Sequence, residues 1–252
     1  MSVLVRAWRG PLLLIVGLIV LWQALYWFAG DMAMRSPVQT VRLTADLLAG
    51  DMLRPHIVET MQAFATAVFF AISIGLATGL VFGFSRIASD IFEPMLVAIY
   101  SIPKLTLYPI LLLTFGLGMS AKVAFGAIHG IVPIALFTIN AIRNIRPILI
   151  KTGRVLNYSP LEMVRLVLIP AALPEIFTGI RIGFALTLIG TLLGEMFASQ
   201  RGLGNVLMRA IGLHNVDLIM AITFILTAVA AVATGALLAL DRRLHRRSSL
   251  TD

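Results

Sequence analysis

Four histidines, His56, His129, His214 and His245, are the obvious residues for metal or acid–base chemistry. They fall on separate segments, and no HExxH pattern or short ligand spacing joins them. The chain has no cysteine, which excludes thiolate catalysis, disulfides and iron–sulfur ligation. It also has no GxxxxGK[ST] phosphate loop, so any ATP chemistry must come from a partner. No catalytic set, metal site or cofactor is therefore expected. What stands out instead is ionisable groups in apolar surroundings: Lys104 in SIPKLTLYP, His129 in FGAIHGIVP and Glu195 in LLGEMFASQ. Such a group is costly in hydrocarbon unless it is paired, reaches an interface or lines a wet cavity. Each is thus a candidate for a transport pathway or for buried packing. Gly130 and Pro133 favour packing for His129, and Glu195 reads best as a support for the GLG turn that follows it.

The elements that position these groups are membrane spans. Apolar residues make up 59% of the chain, charged residues 13%, and the mean hydropathy is +0.97. Soluble domains sit near roughly 45–50% apolar and about 25% charged. Six apolar segments, 11–30, 57–84, 91–117, 121–141, 172–198 and 216–240, predict an integral membrane protein made of helices. The first is read as an uncleaved span with an aromatic belt at Trp22, Tyr26, Trp27 and Phe28, not as a signal peptide. With the N-terminus inside, 13 basic residues fall on the inner side and 6 on the outer, with Lys104 unassigned. The positive-inside rule then predicts both termini in the cytoplasm. The net charge of +8 reports those loops; no basic stripe interleaved with aromatics suggests nucleic acid.

Small residues recur at helical spacing in two spans: Ala71, Gly75, Gly79 and Gly83 in the second, and Gly179, Gly183, Thr187, Gly190 and Gly194 in the fifth. Such seams let helix backbones approach closely. They serve either packing within the chain or, through Gly183 and Gly190, contact with a second subunit or a pathway. The third segment holds Pro103, Lys104 and Pro109, so a straight spanning helix is not expected. Either 88–101 is an interfacial helix from which Lys104 snorkels, or Lys104 lines the pathway. The longest inner connection, 142–171, ends in LIPAALPEIFTGIRIG. There Pro160 and Pro170 are expected to bracket a short helix, with Glu162 and Arg165 on one face, and Pro174 to begin the turn back into the membrane.

The stretches SIPKLTLYPILLLTFGLGMSAKV and LVLIPAALPEIFTGIRIG, together with GEMFASQRGLGNVL, resemble the permease subunits of bacterial ATP-binding-cassette (ABC) importers. Within them the sequence is similar to the branch handling nitrate, taurine, sulfonates and related small anions or heterocycles. The resemblance runs from about residue 37 onward. It implies an all-α integral membrane protein with six transmembrane helices in the MetI-like type I ABC importer permease fold. Residues 1–56 would be an N-terminal helix with a periplasmic connection, and 57–245 the permease domain, with a cytoplasmic coupling loop at 142–171. It further implies a transport subunit of the bacterial inner membrane and not an enzyme. Its partners would be two ABC ATPase subunits, a second permease subunit (an identical copy in the simplest case), a periplasmic or lipid-anchored binding protein, and membrane lipid. A self-sufficient carrier is the alternative. The family's docking loop opens Glu-Ala-Ala, passes a glycine and closes Ile-x-Leu-Pro. Here Lys151-Thr152-Gly153 stands at the opening and Asn157 at the glycine, while Leu168-Ile169-Pro170 with Leu173-Pro174 keeps the close. Asn tolerates left-handed backbone, so the turn is expected to survive; Lys151 changes the ATPase contact or the choice of ATPase. The resemblance thus places the ATPase contact on 151–166, centred on Asn157, Tyr158, Ser159, Pro160, Leu161 and Glu162.

Overall fold

A computed structural model of the chain describes the backbone of residues 2–248 and the side chains of 10, 12–197 and 199–239. Among the described residues every element is helical. Helices α1 (Ser2–Ala29), α3 (Arg54–Gly83), α6 (Met119–Arg143), α9 (Ile169–Ala198) and α11 (Val216–Ser248) are long and apolar enough to cross a bilayer. The sixth crossing is broken. Helix α4 (Arg86–Ser101) is followed by a 3₁₀ turn, Lys104–Leu107, and α5 (Tyr108–Phe115), and the two arms meet at 86°. Pro103 marks the break: it lacks a backbone donor, and Ile102 before it is extended, at φ −66° and ψ 133°. Pro109 instead lies in the first turn of α5, where a helix has no partner for that donor. Shorter helices fill the connections: α2 (Pro37–Ala49), α7 (Pro147–Val155), α8 (Pro160–Glu162) and α10 (Leu203–Gly212).

The core is a three-helix sandwich with α6 in the middle, buried over most of its length. The glycines of both seams face α6. A Cβ on Gly75 would lie 2.8 Å from the Ile134 side chain, and one on Gly79 would strike Thr138. On the other side a Cβ on Gly190 would lie 2.7 Å from the His129 ring and 3.0 Å from the Gly126 backbone, and one on Gly183 would strike Ile134. Gly183 and Gly190 thus meet α6 of the same chain. Phe64 of α3 and Phe184 of α9 close the sandwich edge to face at 4.8 Å. In hydrocarbon, where apolar burial gives little drive, this close backbone approach is what holds helices together.

The polar contacts sort into two ends. At one, Arg35 pairs with Asp217, Lys122 with Glu59, and Leu53 packs on Leu203, Val206 and Ile222. At the other, Arg143 pairs with Asp90 at 2.9 Å and Glu93 at 2.8 Å, and Ala141, Ile145 and Ala172 pack together. The chain alternates between these ends, so α1 starts and α11 finishes at the Arg143 end. The basic residues near the termini, Arg6, Arg9, Arg242, Arg243, Arg246 and Arg247, and His245, lie outside the described side chains.

One expectation is corrected. Pro160 and Pro170 do not bracket a separate helix, and Pro174 begins no turn. Instead α8 runs through a π-helical stretch, Met163–Leu168, directly into α9, with Pro170 in its first turn and Pro174 inside it. In a regular helix a proline clashes with the carbonyl four residues back. The π stretch removes that constraint by shifting the ladder, and Ile169 N bonds Val164 O, five residues back. The chain re-enters the bundle as one continuous helix.

Two results are expected. Helix α3 is about 45 Å long at 1.5 Å per residue, so reporter fusions at Asp51 and Asn157 should report opposite sides of the membrane. Gly190→Leu should cost at least ~3 kcal/mol, above the usual overpacking range because backbone lies behind the His129 ring. A thermal melt in detergent that matches the wild type would show that the seam tolerates side chains.

Candidate functional site

Three places gather the polar groups. The first is at the Asp217 end, where α9 leaves the core. Glu195 and Lys122 are fully buried, at 0% and 1% exposure. The Lys122 ammonium donates to Glu59 Oε1 at 2.9 Å and to Ser199 Oγ and the Arg201 carbonyl at 3.3 Å, and it lies 3.5 Å from Glu195 Oε1. Thr60 Oγ1 donates to the Glu195 carboxylate at 2.8 and 3.0 Å, and Tyr108 Oη donates to the Gly194 carbonyl.

These groups fix the start of α10. A helix opens with backbone N–H groups that have no partner of their own. Here three successive donors are each received by a side chain from elsewhere: Gly202 N by His56 Nδ1 at 3.1 Å, Leu203 N by Thr60 Oγ1 at 2.9 Å, and Gly204 N by Glu195 Oε2 at 3.0 Å. His56 and Thr60 are one turn apart on α3. A carboxylate is also the charge that a helix N-terminus favours. Gly202 holds φ +119°, and a Cβ there would strike the Glu195 carboxylate, so glycine is required twice over. Glu195 is the buried cap of the GLG turn.

The second place is the broken crossing. Lys104 Nζ donates to the Tyr100 carbonyl at 3.1 Å and lies 4.3 Å over the Tyr100 ring. Among the described residues no carboxylate comes within ion-pair distance of it. His129 is buried near the midpoint of α6. Its Nδ1 is 2.8 Å from the Phe125 carbonyl, which can only accept, so Nδ1 carries the proton. Its ring meets Phe125 edge to face at 4.6 Å, and Phe125 in turn packs on Tyr108.

The third place is the loop at the Arg143 end. Asn157 has φ 52°, the left-handed backbone expected where Asn replaces glycine. Ser159 and Glu162 form a reciprocal capping box around Pro160: Glu162 Oε2 accepts from Ser159 N at 2.8 Å, and Ser159 Oγ from Glu162 N at 3.4 Å. Glu162 is thereby engaged with Ser159 and not with Arg165. A Cβ on Gly153 would lie 2.6 Å from Met163, so α7 sits tightly on the π stretch. Lys151, Val155, Leu156, Leu161 and Arg165 are exposed, and Tyr158 is half-buried.

Lys104 therefore sits on the broken crossing and His129 on α6, Glu195 belongs to the α10 latch, and the loop residues form one surface. Glu59, Thr60, Tyr108 and Lys122 escaped the sequence reading as site residues, and His56 was named there only among scattered histidines. Glu59 and Lys122 had a signal, an acid and a base each at the start of an apolar segment; Thr60 and His56 had none beyond their spacing of four.

Fold and sites together define a multi-pass helical permease, with charges paired at both ends and one broken crossing between them. Residues 59–249 match the binding-protein-dependent transport system inner membrane component family, and the chain belongs to it. This is a family of ABC importer permeases, multi-pass proteins of the inner membrane that lack an ATPase site of their own. The chain is 25% identical over 252 residues to the taurine transport system permease protein TauC of Escherichia coli, covering 94% of this chain and 92% of the relative. To the riboflavin transport system permease protein RibX of Chloroflexus aurantiacus it is 32% identical over 231 residues, covering 91% and 85%. A solved chain of the MetNI methionine ABC transporter in an inward-facing conformation has a TM-score of 0.66 at 22% identity, covering 77% of this chain and 96% of that one, a likeness of fold. The expected MetI-like fold is the one found.

Burial predicts which ion pair matters. Removing one partner of a buried pair leaves an uncompensated charge and costs about 3–5 kcal/mol, against roughly 0–1 kcal/mol for an exposed pair. Lys122→Met should therefore lower the melting temperature far more than Asp217→Asn, since the Asp217 side chain is 51% exposed. Equal shifts would mean that the latch contributes no more than a surface contact.

Proposed function

We propose that this chain is one half of the membrane pathway of an importer in which a binding protein delivers the solute outside and two ABC ATPase subunits work inside. In this reading two copies pair, both termini are cytoplasmic, and the Arg143 end faces the cytoplasm. Relatives named for taurine, aliphatic sulfonates, nitrate and riboflavin support a small anion or a small heterocycle as the solute.

The observation that carries the ATPase contact is the surface of the α7–α8 loop. Val155 and Leu161 are 81% and 76% exposed, at the end of the bundle away from the α10 latch and beside Lys151, Arg154 and Arg165. Apolar side chains that stand in water among charges suit a protein partner, since a partner buries them and lipid does not reach them. The loop is stiff enough to push against. The capping box locks Ser159 to Glu162, Asn157 sets the turn, and the π stretch joins the surface to α9 without a hinge loop.

Leu161→Asp places a charge in that contact. The variant should insert and melt like the wild type, yet lose transport and most ATPase co-purification. Lys151→Glu restores the acid of the family pattern. Weakened coupling would match Lys151 to an acidic site on its own ATPase, and unchanged transport would make Lys151 incidental. Crosslinkers at positions 157–162 that never capture an ATPase subunit in the assembled complex would remove the contact surface altogether.

A further inference from the structure

We propose that α1 and the start of α11 hold one phospholipid between them and select its headgroup, a phosphate beside a primary ammonium as in phosphatidylethanolamine. This rests on the importer reading for its leaflet, which the proposed orientation makes the outer one.

Helix α1 is not packed as the core spans are. No residue of its apolar span Leu12–Ala29 is buried. A Cβ on Gly10 or Gly17 would meet nothing within 4 Å, whereas the seam glycines of α3 and α9 lie against α6. Close backbone contact is what draws spans together in hydrocarbon, and α1 does not make it. The helix is tied near its Ala29 end: Trp22 Nε1 donates to the Arg35 carbonyl at 3.0 Å, and the Trp22 ring stands 6.3 Å from that of Phe224. Around that tie a groove of about 410 Å³ opens between α1 and α11, lined by Leu18, Leu21, Leu25, Met220 and Phe224.

The groove is ordered as a lipid is. On α11, Asp217, Met220, Phe224 and Thr227 recur every three or four residues and so share one face. From Asp217 to Thr227 that face rises about 15 Å, half of a hydrocarbon core of roughly 30 Å, which is one leaflet. At its polar end α1 stops at Ala29 and α11 starts at Val216, so the headgroup layer lies there. A cleft of about 430 Å³ opens at that level, lined by Asp31, Arg35, His214, Asn215 and Asp217. Trp22 joins the two spaces, since it lines the groove and bonds the backbone of Arg35 in the cleft.

The charges of the cleft choose the headgroup. At pH 7 they are one guanidinium and two carboxylates. Arg35 Nε donates to Asp217, and Nη1 to the Asp31 carbonyl and carboxylate, which leaves the Nη2 donors for a phosphate. The Asp31 and Asp217 side chains are 62% and 51% exposed and keep acceptor sites for an ammonium. Two carboxylates disfavour a headgroup that brings only negative charge, such as phosphatidylglycerol. A choline has no N–H to give them. An ethanolamine headgroup meets both signs with hydrogen bonds.

The test is made on the importer assembled with its ATPase and binding protein. It is reconstituted in equimolar phosphatidylethanolamine, phosphatidylcholine and phosphatidylglycerol of one acyl composition, then delipidated in detergent, and the lipid still bound is identified by native mass spectrometry. Phosphatidylethanolamine should be enriched at least about 3-fold over each of the others, the scale of an exposed charge pair. Asp31→Asn together with Asp217→Asn should abolish that preference, leaving Arg35 to favour phosphatidylglycerol. Thr223→Trp, which fills the groove, should remove the bound lipid itself. A photoreactive benzoylphenylalanine in place of Leu21 should capture a phospholipid. Its capture of a second permease chain overturns the site, as does a retained composition equal to that of the vesicles or one unmoved by the paired asparagines. Co-purification of the ATPase is scored on the same samples. Its loss counts against the importer reading, whereas a missing ethanolamine preference in an intact complex counts against this site alone.

Discussion

The bundle depends on bringing α6 between α3 and α9 with almost no side chain in between. Gly75, Gly79 and Gly83 bear on one side of α6, and Gly183, Gly190 and Gly194 on the other. In a bilayer, apolar side chains gain little by leaving lipid for protein, so contact between backbones has to supply the association. Close contact has a second effect. It excludes water and lipid from the seam, so polar groups there turn to protein partners, the buried Thr187 hydroxyl being left without one. Thr138 and Thr191 bond carbonyls one turn back, His129 bonds Phe125, and Lys122 takes Glu59 and Glu195.

Seen this way, the ionisable residues divide by how their charge is met. Lys122, Glu195 and Glu59 compensate each other where three helices end, and the same carboxylate caps α10. Arg143 is compensated across α4 and α6. These sets tie helix ends together. Lys104, on the broken crossing, is met instead by the Tyr100 carbonyl and the face of its ring.

Much of this was legible in the sequence, and the parts that were not have physical reasons. The six apolar segments correspond to the six crossings, because hydropathy measures the same transfer that membrane insertion does. Asn157 was readable as a left-handed residue from the chemistry of its short amide side chain. The prolines at 170 and 174 misled. Proline is read as a helix breaker on the assumption of an i→i−4 ladder; the π stretch just before Pro170 is invisible to that rule, and Pro174 is carried inside α9 itself. The seams were visible as spacing, but which helix they would meet was not, since glycine periodicity carries no information about the partner. The α10 latch needed His56, Thr60 and Glu195 to converge on the start of α10, His56 from 146 residues before Gly202, which local patterns cannot reveal.

The correction at Pro170 bears on how the ends communicate. With a turn at Pro174, a push on the docking surface would have to cross a loop before reaching the bundle. With a continuous element from Pro160 to Phe197, about 57 Å at 1.5 Å per residue, it does not. In the proposed reading, displacement at Leu161 is delivered along α9 to Glu195, and through it to the start of α10 and, by way of Lys122 and Thr60, to α6 and α3. The π stretch is the one place where the hydrogen-bond ladder of that element is irregular, and it lies between the surface and the membrane. Bending there would absorb a push and bracing there would pass it on. Gly153 against Met163 is the brace: α7 packs directly on the first residue of the irregular turn, so the segment that presents Lys151 to a partner also stiffens the point where force enters α9.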